Sequence, residues 1–113
     1  MESIKIRFSD LKNEFKFIVK SKYKEIAGVW RVNSQKPGPT LGITIFTHGN
    51  EPSGLAALWY LRRKFNIEKN LKNGSLIIAV NNLKAAQKCF LRLNIFLEFF
   101  RSRGSDHVNV SLR

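Results

Sequence analysis

A histidine and a glutamate three residues apart, His48 and Glu51, are the residues of this chain best suited to chemistry. An imidazole nitrogen and a carboxylate oxygen are both ligands that Zn²⁺ accepts in proteins. Gly49 and Asn50 stand between them, and the glycine lets the backbone turn and approach a ligand closely. A catalytic zinc takes three protein ligands and keeps one position open for water, so this pair supplies only part of such a site.

The spacing alone is a weak signal, because a surface turn with a hydrogen-bonded histidine would show the same residues. The neighbouring elements make the pair more informative. The apolar and β-branched run 43–47 predicts a buried strand that ends at His48. Pro52 opens a predicted helix that reaches about Phe65, since proline is tolerated in a first helical turn. The pair is therefore predicted at the carboxyl end of a strand, where open α/β sheets bind their ligands.

Other apolar patterns predict the sheet and helices around this strand. Short runs at 4–8, 15–19 and 28–32 predict strands with one buried face, and the continuous run 75–80 predicts a strand buried on both faces. The strand–helix–strand order predicts a right-handed βαβ unit. An apolar stripe predicts a helix over 83–100 that faces the core, with a partner-binding or membrane-surface helix as the alternative. We therefore expect an α/β fold with a mixed or parallel sheet and flanking helices.

Length and composition predict one folded domain over residues 1–100 and a polar tail over 101–113. Hydrophobic residues make up 43% of the chain and charged residues 25%, which is typical of a folded globular protein. No run of 18 apolar residues occurs, so we expect no membrane partner. The single cysteine, Cys89, cannot form an internal disulfide, and a reducing, cytoplasmic setting is expected.

The net charge of +12 is the second unusual property of the chain. Such a charge is typical of nucleic-acid binders, but also of a basic piece of a larger protein. The basic residues are scattered along the sequence, and no helix-turn-helix, CxxC or aromatic RNA-binding signature accompanies them. We therefore do not expect nucleic acid as the partner. A non-enzymatic basic module that binds nucleic acid or a partner protein remains the alternative function.

The segment 47–54, Thr-His-Gly-Asn-Glu-Pro-Ser-Gly, resembles the signature of the succinylglutamate desuccinylase/aspartoacylase family, which belongs to the zinc carboxypeptidase-like proteins. The similarity continues through 55–58 and into 81–86, so it covers about residues 41–88. The HGNE-x-x-G core is the specific part of this resemblance, and the remainder supports it.

The resemblance implies a zinc-dependent hydrolase that cleaves the amide bond of a small-molecule N-acyl amino acid. His48 and Glu51 match the two zinc ligands of the family's motif, so Zn²⁺ is the implied cofactor. In the family, a second histidine ligand and a glutamate that serves as general base and acid lie farther along the chain. The implied architecture is the N-terminal part of a zinc carboxypeptidase-like fold.

Two departures from the family pattern predict an incomplete, N-terminal fragment. Family members are much longer than 113 residues, and the third ligand and the catalytic glutamate are expected beyond this length. The family's Asp-x-Asn-Arg motif has no counterpart, because the nearest stretch, 106–110, has the wrong spacing and lacks the arginine. His107 lies in the predicted tail and is not expected to replace the missing ligand. We therefore expect no turnover, no identifiable catalytic residue, and self-association through exposed apolar surface.

Overall fold

The computed structural model describes residues 2–46, 53–88, 91 and 107–112. These residues form an α/β structure with a mixed sheet and flanking helices, which confirms the predicted fold class at that level. The elements in chain order are β1 (Glu2–Arg7), α1 (Phe8–Lys20), β2 (Lys22–Tyr23), β3 (Ile26–Ala27), β4 (Val29–Asn33), β5 (Thr40–Ile45), α2 (Ser53–Trp59), a π-helical turn (Tyr60–Lys64), α3 (Ile67–Asn70), β6 (Ser75–Val80), α4 (83–88) and β7 (His107–Leu112).

The largest sheet has three strands in the order β4-β6-β5. β6 pairs antiparallel with β4 and parallel with β5, and the parallel register runs from Thr40 opposite Ser75 to Ile45 opposite Val80. α2 lies between β5 and β6 in the chain, so the predicted strand–helix–strand unit is present with parallel strands. β6 occupies the centre, and its residues alternate between buried and half-buried side chains along its length.

The predicted strand over 15–19 is wrong, because these residues belong to helix α1. The buried side chains of α1 include Leu11, Phe15 and Ile18, whose spacing of four and three residues places them on one helical face. Asp10 in the first turn favours this helix through its charge near the positive end of the helix dipole. An alternation seen over only five residues did not distinguish this helical face from a strand face.

The end of the chain also differs from the predicted polar tail over 101–113. Residues 107–112 form β7, which pairs antiparallel with β1 from Arg7 opposite His107 to Glu2 opposite Leu112. The segment alternates polar residues with valine and leucine, which is the period of a strand. Of the helix predicted over 83–100, residues 83–88 and Leu91 are helical, and the remainder lies outside the described residues.

The core lies between the three-stranded sheet, α1 and α2. Its most completely buried large side chains are Ile6, Leu11, Ile18, Leu55, Leu58 and Ile78. Burial of an aliphatic side chain of this size contributes about 1.5–3 kcal/mol, so these contacts are what join the helices to the sheet. No helix within the described part of the chain is long and apolar enough to cross a membrane.

Candidate functional site

His48 and Glu51, the predicted metal ligands, lie in the segment 47–52, outside the described residues. The structure describes the residues on either side of this segment. Ile45 ends β5 and is followed by Phe46, and Ser53 and Gly54 begin α2. These four residues are called the frame of the candidate site.

The frame stands where two parallel strands end side by side. Ile45 is opposite Val80 in the register, and the Asn81 N–H donates a hydrogen bond to the Ile45 carbonyl oxygen over 3.0 Å. The chain leaves β6 directly into α4, and the Asn82 side-chain Oδ1 accepts a hydrogen bond from the Ala85 N–H over 3.0 Å. This Asn82 cap begins α4 at the same edge of the sheet. The carboxyl edge of parallel strands is where open α/β sheets bind ligands, as the sequence predicted for the motif.

Phe46, the last described residue before the motif, has an uncommon backbone conformation. Its φ is 56°, in the left-handed region that costs a non-glycine residue about 1–3 kcal/mol. Its side chain is buried and meets Phe15 of α1 edge to face, with ring centroids 5.9 Å apart. The buried ring anchors Phe46 directly after β5, next to the segment 47–52. Strained residues of this kind cluster at active sites and ligand clamps.

Gly54 explains the last position of the HGNE-x-x-G pattern. A Cβ built on Gly54 would lie 2.7 Å from Ile45 Cβ and 2.8 Å from Ile45 Cγ2, which is closer than real side chains approach. The first turn of α2 therefore packs directly against the last residue of β5, and only glycine permits this contact. The end of β5 and the start of α2 are therefore close together, on either side of the segment 47–52.

Among the described residues, which do not include His48 and Glu51, no three histidine, cysteine, aspartate or glutamate side chains gather in a group that could hold a metal. His107 begins β7, opposite Arg7 of β1, where the sequence suggested a tail. No catalytic residue is identified among the described residues.

A buried ion pair joins α1 to the π-helical turn. Arg62 Nη1 donates to Glu14 Oε1 over 2.6 Å, and the Glu14 side chain is almost fully buried. The Arg62 guanidinium also stacks on the Phe17 ring, 3.4 Å from its centroid. Among the residues that the structure describes, Glu14 Oε2 and Arg62 Nε have no hydrogen-bond partner, so the pair is only partly satisfied there.

Two of the arginines that contribute to the net charge form hydrogen bonds or an ion pair within the structure. Arg62 is held by Glu14, and Arg31 donates to Tyr23 Oη, to Asn33 Oδ1 over 2.7 Å and to Ser75 Oγ over 3.1 Å. These guanidinium groups hydrogen-bond to neighbouring side chains and do not form a shared patch of positive charge that faces solvent. The basic run Arg62-Arg63-Lys64 therefore does not present three cations that are all available to a ligand, which weakens the nucleic-acid interpretation.

Sequence reasoning missed Phe46, the Asn82 cap and the Glu14–Arg62 pair. The asparagine before an apolar helical stripe is a helix-start signal that the sequence contains. The left-handed phenylalanine has no such signal, because phenylalanine seldom adopts this conformation. The ion pair joins residues 48 positions apart, and its glutamate lies on a helix that was partly predicted as a strand.

Comparisons of the chain with known protein families, curated proteins and solved structures found no match. The resemblance therefore remains one carried by the residues of the segment 41–88.

Proposed function

We propose that this chain carries part of a zinc-dependent hydrolase centre for the amide bond of an N-acyl amino acid, with His48 and Glu51 as zinc ligands. The observation that supports the proposal is the parallel β5–α2–β6 unit, whose carboxyl edge leads into the motif. We further propose that this unit corresponds to the N-terminal part of a zinc carboxypeptidase-like fold, of the succinylglutamate desuccinylase/aspartoacylase type.

The donor set suits the metal. An imidazole and a carboxylate, three residues apart in the sequence, are borderline and hard ligands of the kind that zinc accepts. When bound, zinc supplies an activated water and polarises the amide carbonyl. The contribution of the chain is to hold the two ligands, through the bent backbone at Phe46 and the close packing of Gly54 on Ile45.

Two ligands hold zinc weakly, and turnover needs a third ligand and a proton-transferring group. We propose that this chain supplies these two ligands alone, and on that basis we expect substoichiometric zinc and no hydrolysis of N-acyl amino acids.

Zinc quantification on the purified chain tests the ligand assignment. His48→Ala and Glu51→Ala are each expected to abolish the bound zinc. His107→Ala and Glu25→Ala are the matched controls, because they remove the chain's other histidine and a highly exposed glutamate, and they should leave the zinc unchanged. Equal zinc in all five proteins would contradict the assignment, as would loss of zinc in His107→Ala alone. Tight one-to-one zinc with amide hydrolysis would contradict the expected incompleteness.

The net charge of +12 supports one other candidate, a basic module that binds nucleic acid or a partner protein. Binding through phosphate contacts releases counterions, so its affinity falls steeply as salt rises. A titration of duplex and single-stranded oligonucleotides at low and physiological salt tests this function. Binding that is absent, or that does not change with salt, would exclude it.

A further inference from the structure

The outer edge of β5 offers backbone hydrogen-bonding groups that no strand within the described residues uses. β5 stands at one side of the order β4-β6-β5 and pairs with β6 alone. The carbonyls of Pro39 and Ile45 accept hydrogen bonds from the Ser75 and Asn81 N–H groups, each over 3.0 Å. Successive strand residues direct their backbone groups to alternate sides. The N–H and C=O groups that point away from β6 therefore belong to Thr40, Gly42 and Thr44.

The side chains along this edge leave it open. Leu41 is 61% exposed and Ile43 is 37% exposed, and a Cβ built on Gly42 would have no atom of the described residues within 4 Å. The strand Thr40–Ile45 contains no charged residue and no proline. Native proteins usually protect a free edge with a lysine, a proline or a covering element, because an unprotected edge pairs with other chains. β5 has none of the protection that its own residues could provide.

The net charge of the chain favours an acidic polypeptide as the partner at this edge. Two copies of a chain with a net charge of +12 repel each other, and a net charge far from zero keeps proteins monomeric, which opposes the self-association expected from exposed apolar surface. An acidic polypeptide is attracted instead, and electrostatic complementarity of this kind decides which partner approaches. The neutral, apolar strand then adds contacts that do not depend on charge.

We propose that the outer edge of β5 binds an extended segment of an acidic partner polypeptide, which adds a strand beside β5. The backbone groups of Thr40, Gly42 and Thr44 supply the hydrogen bonds, as in other cases of strand addition. Apolar side chains of the partner cover Leu41 and Ile43. This interaction requires no zinc, and it stands whether or not His48 and Glu51 bind the metal.

A fluorescent peptide is the probe for this edge. Its core alternates valine and threonine over about six residues, which is the length of a typical strand, with two glutamates at each end. Titration with the full chain in the presence of a chelator, followed by fluorescence anisotropy, should show saturable binding that weakens with salt. A peptide with the same core and lysines at both ends should bind at least about tenfold more weakly at low salt.

Two substitutions of one glycine test the position. Gly42→Pro removes an N–H that points away from β6 and leaves the β5–β6 hydrogen bonds intact, as edge prolines do. We expect it to weaken peptide binding by about tenfold or more, the effect of losing one hydrogen bond and adding a steric block. Gly42→Ala is the matched control, since its methyl group enters open space, and it should bind like the unchanged chain. Circular dichroism and the unfolding midpoint establish that each variant is folded.

Amide hydrogen exchange of the unchanged chain provides a measurement that needs no variant. Bound peptide should slow the exchange of the Thr40, Gly42 and Thr44 amides and leave Leu41 and Ile43 little changed. Unaltered exchange at all three amides would overturn the proposal, as would equal binding by folded Gly42→Pro. Equal binding of the glutamate and lysine peptides would overturn the assignment of an acidic partner. A dimer in sedimentation that Gly42→Pro abolishes would assign the edge to a second copy of the chain, against the proposal.

Discussion

The frame of the candidate site and the Glu14–Arg62 cluster adjoin the same helix, α1, but are stabilised by different means. The frame contains no charged side chain among Ile45, Phe46 and Gly54, and close apolar and backbone contacts define its shape. The cluster buries an ion pair beside aromatic rings and, among the described residues, leaves one polar atom of each partner without a hydrogen bond. The difference indicates that close packing joins the end of β5 to the start of α2, while the buried ion pair joins α1 to the π-helical turn.

Truncation of a single side chain should lower the free energy of unfolding more in the Glu14–Arg62 cluster than in the frame. Glu14→Ala leaves the guanidinium of Arg62 without its carboxylate in a largely buried place, and we expect a loss of about 3 kcal/mol in the free energy of unfolding. Urea denaturation measures this loss. The double variant Glu14→Leu, Arg62→Met should recover most of it, because an apolar pair of similar size often replaces a buried ion pair without cost. A double variant as unstable as Glu14→Ala would show that the charges themselves stabilise the fold.

The frame should instead be destabilised when a side chain is enlarged. Gly54→Ala places a methyl group within 3 Å of Ile45, and overpacking of this kind costs about 1–3 kcal/mol. We also expect it to lower zinc binding at a temperature where the variant is folded, because α2 has to move away from the end of β5. Glu14→Gln, measured under the same conditions, should lower stability but leave zinc binding unchanged. The comparison between the two regions fails if Glu14→Gln lowers zinc binding as much as Gly54→Ala.

The edge-to-face contact of Phe46 with Phe15 should have a smaller effect. Phe46→Leu keeps an apolar side chain of similar size but removes the aromatic pair, which is worth about 0.5–1.5 kcal/mol beyond its buried area. Thermal unfolding monitored by circular dichroism gives the change. A stability equal to that of the unchanged chain would show that the aromatic geometry does not hold the left-handed backbone at this position.

The smallest effect is expected at the edge of the same strand. Gly42→Ala adds a methyl group with nothing within 4 Å, so the free energy of unfolding should change by less than about 1 kcal/mol. It is the matched control for Gly54→Ala, because both replace a glycine of the same βαβ unit by alanine. A large loss in Gly42→Ala would mean that the edge of β5 is covered in the free chain.

The elements nearest the motif were the easiest to predict. β5, β6 and the helix after Pro52 follow from apolar runs and from helix-start residues, which are local properties of the sequence. The predicted burial of β5 was wrong, because the side chains of 40–44 are exposed and β5 lies at one side of the three-stranded sheet. The helix prediction reached Phe65, and the structure divides this span into α2 and a π-helical turn, closed by the Phe65 N–H donating to the Tyr60 carbonyl oxygen over 2.9 Å. α1 and β7 were missed, since a short alternation and a polar composition are both compatible with more than one structure.

The sequence by itself determined the parallel unit, the residue types of the candidate zinc pair and the glycine that the strand–helix contact requires. These are consequences of hydrophobic periodicity and of side-chain chemistry within about 40 residues, the span of a βαβ unit. Only the tertiary structure decided that β6 lies between β4 and β5, that Phe46 adopts a left-handed backbone against Phe15, and that Glu14 meets Arg62. Each of these depends on contacts between segments far apart in the chain, and a local pattern does not specify which distant surface will be met.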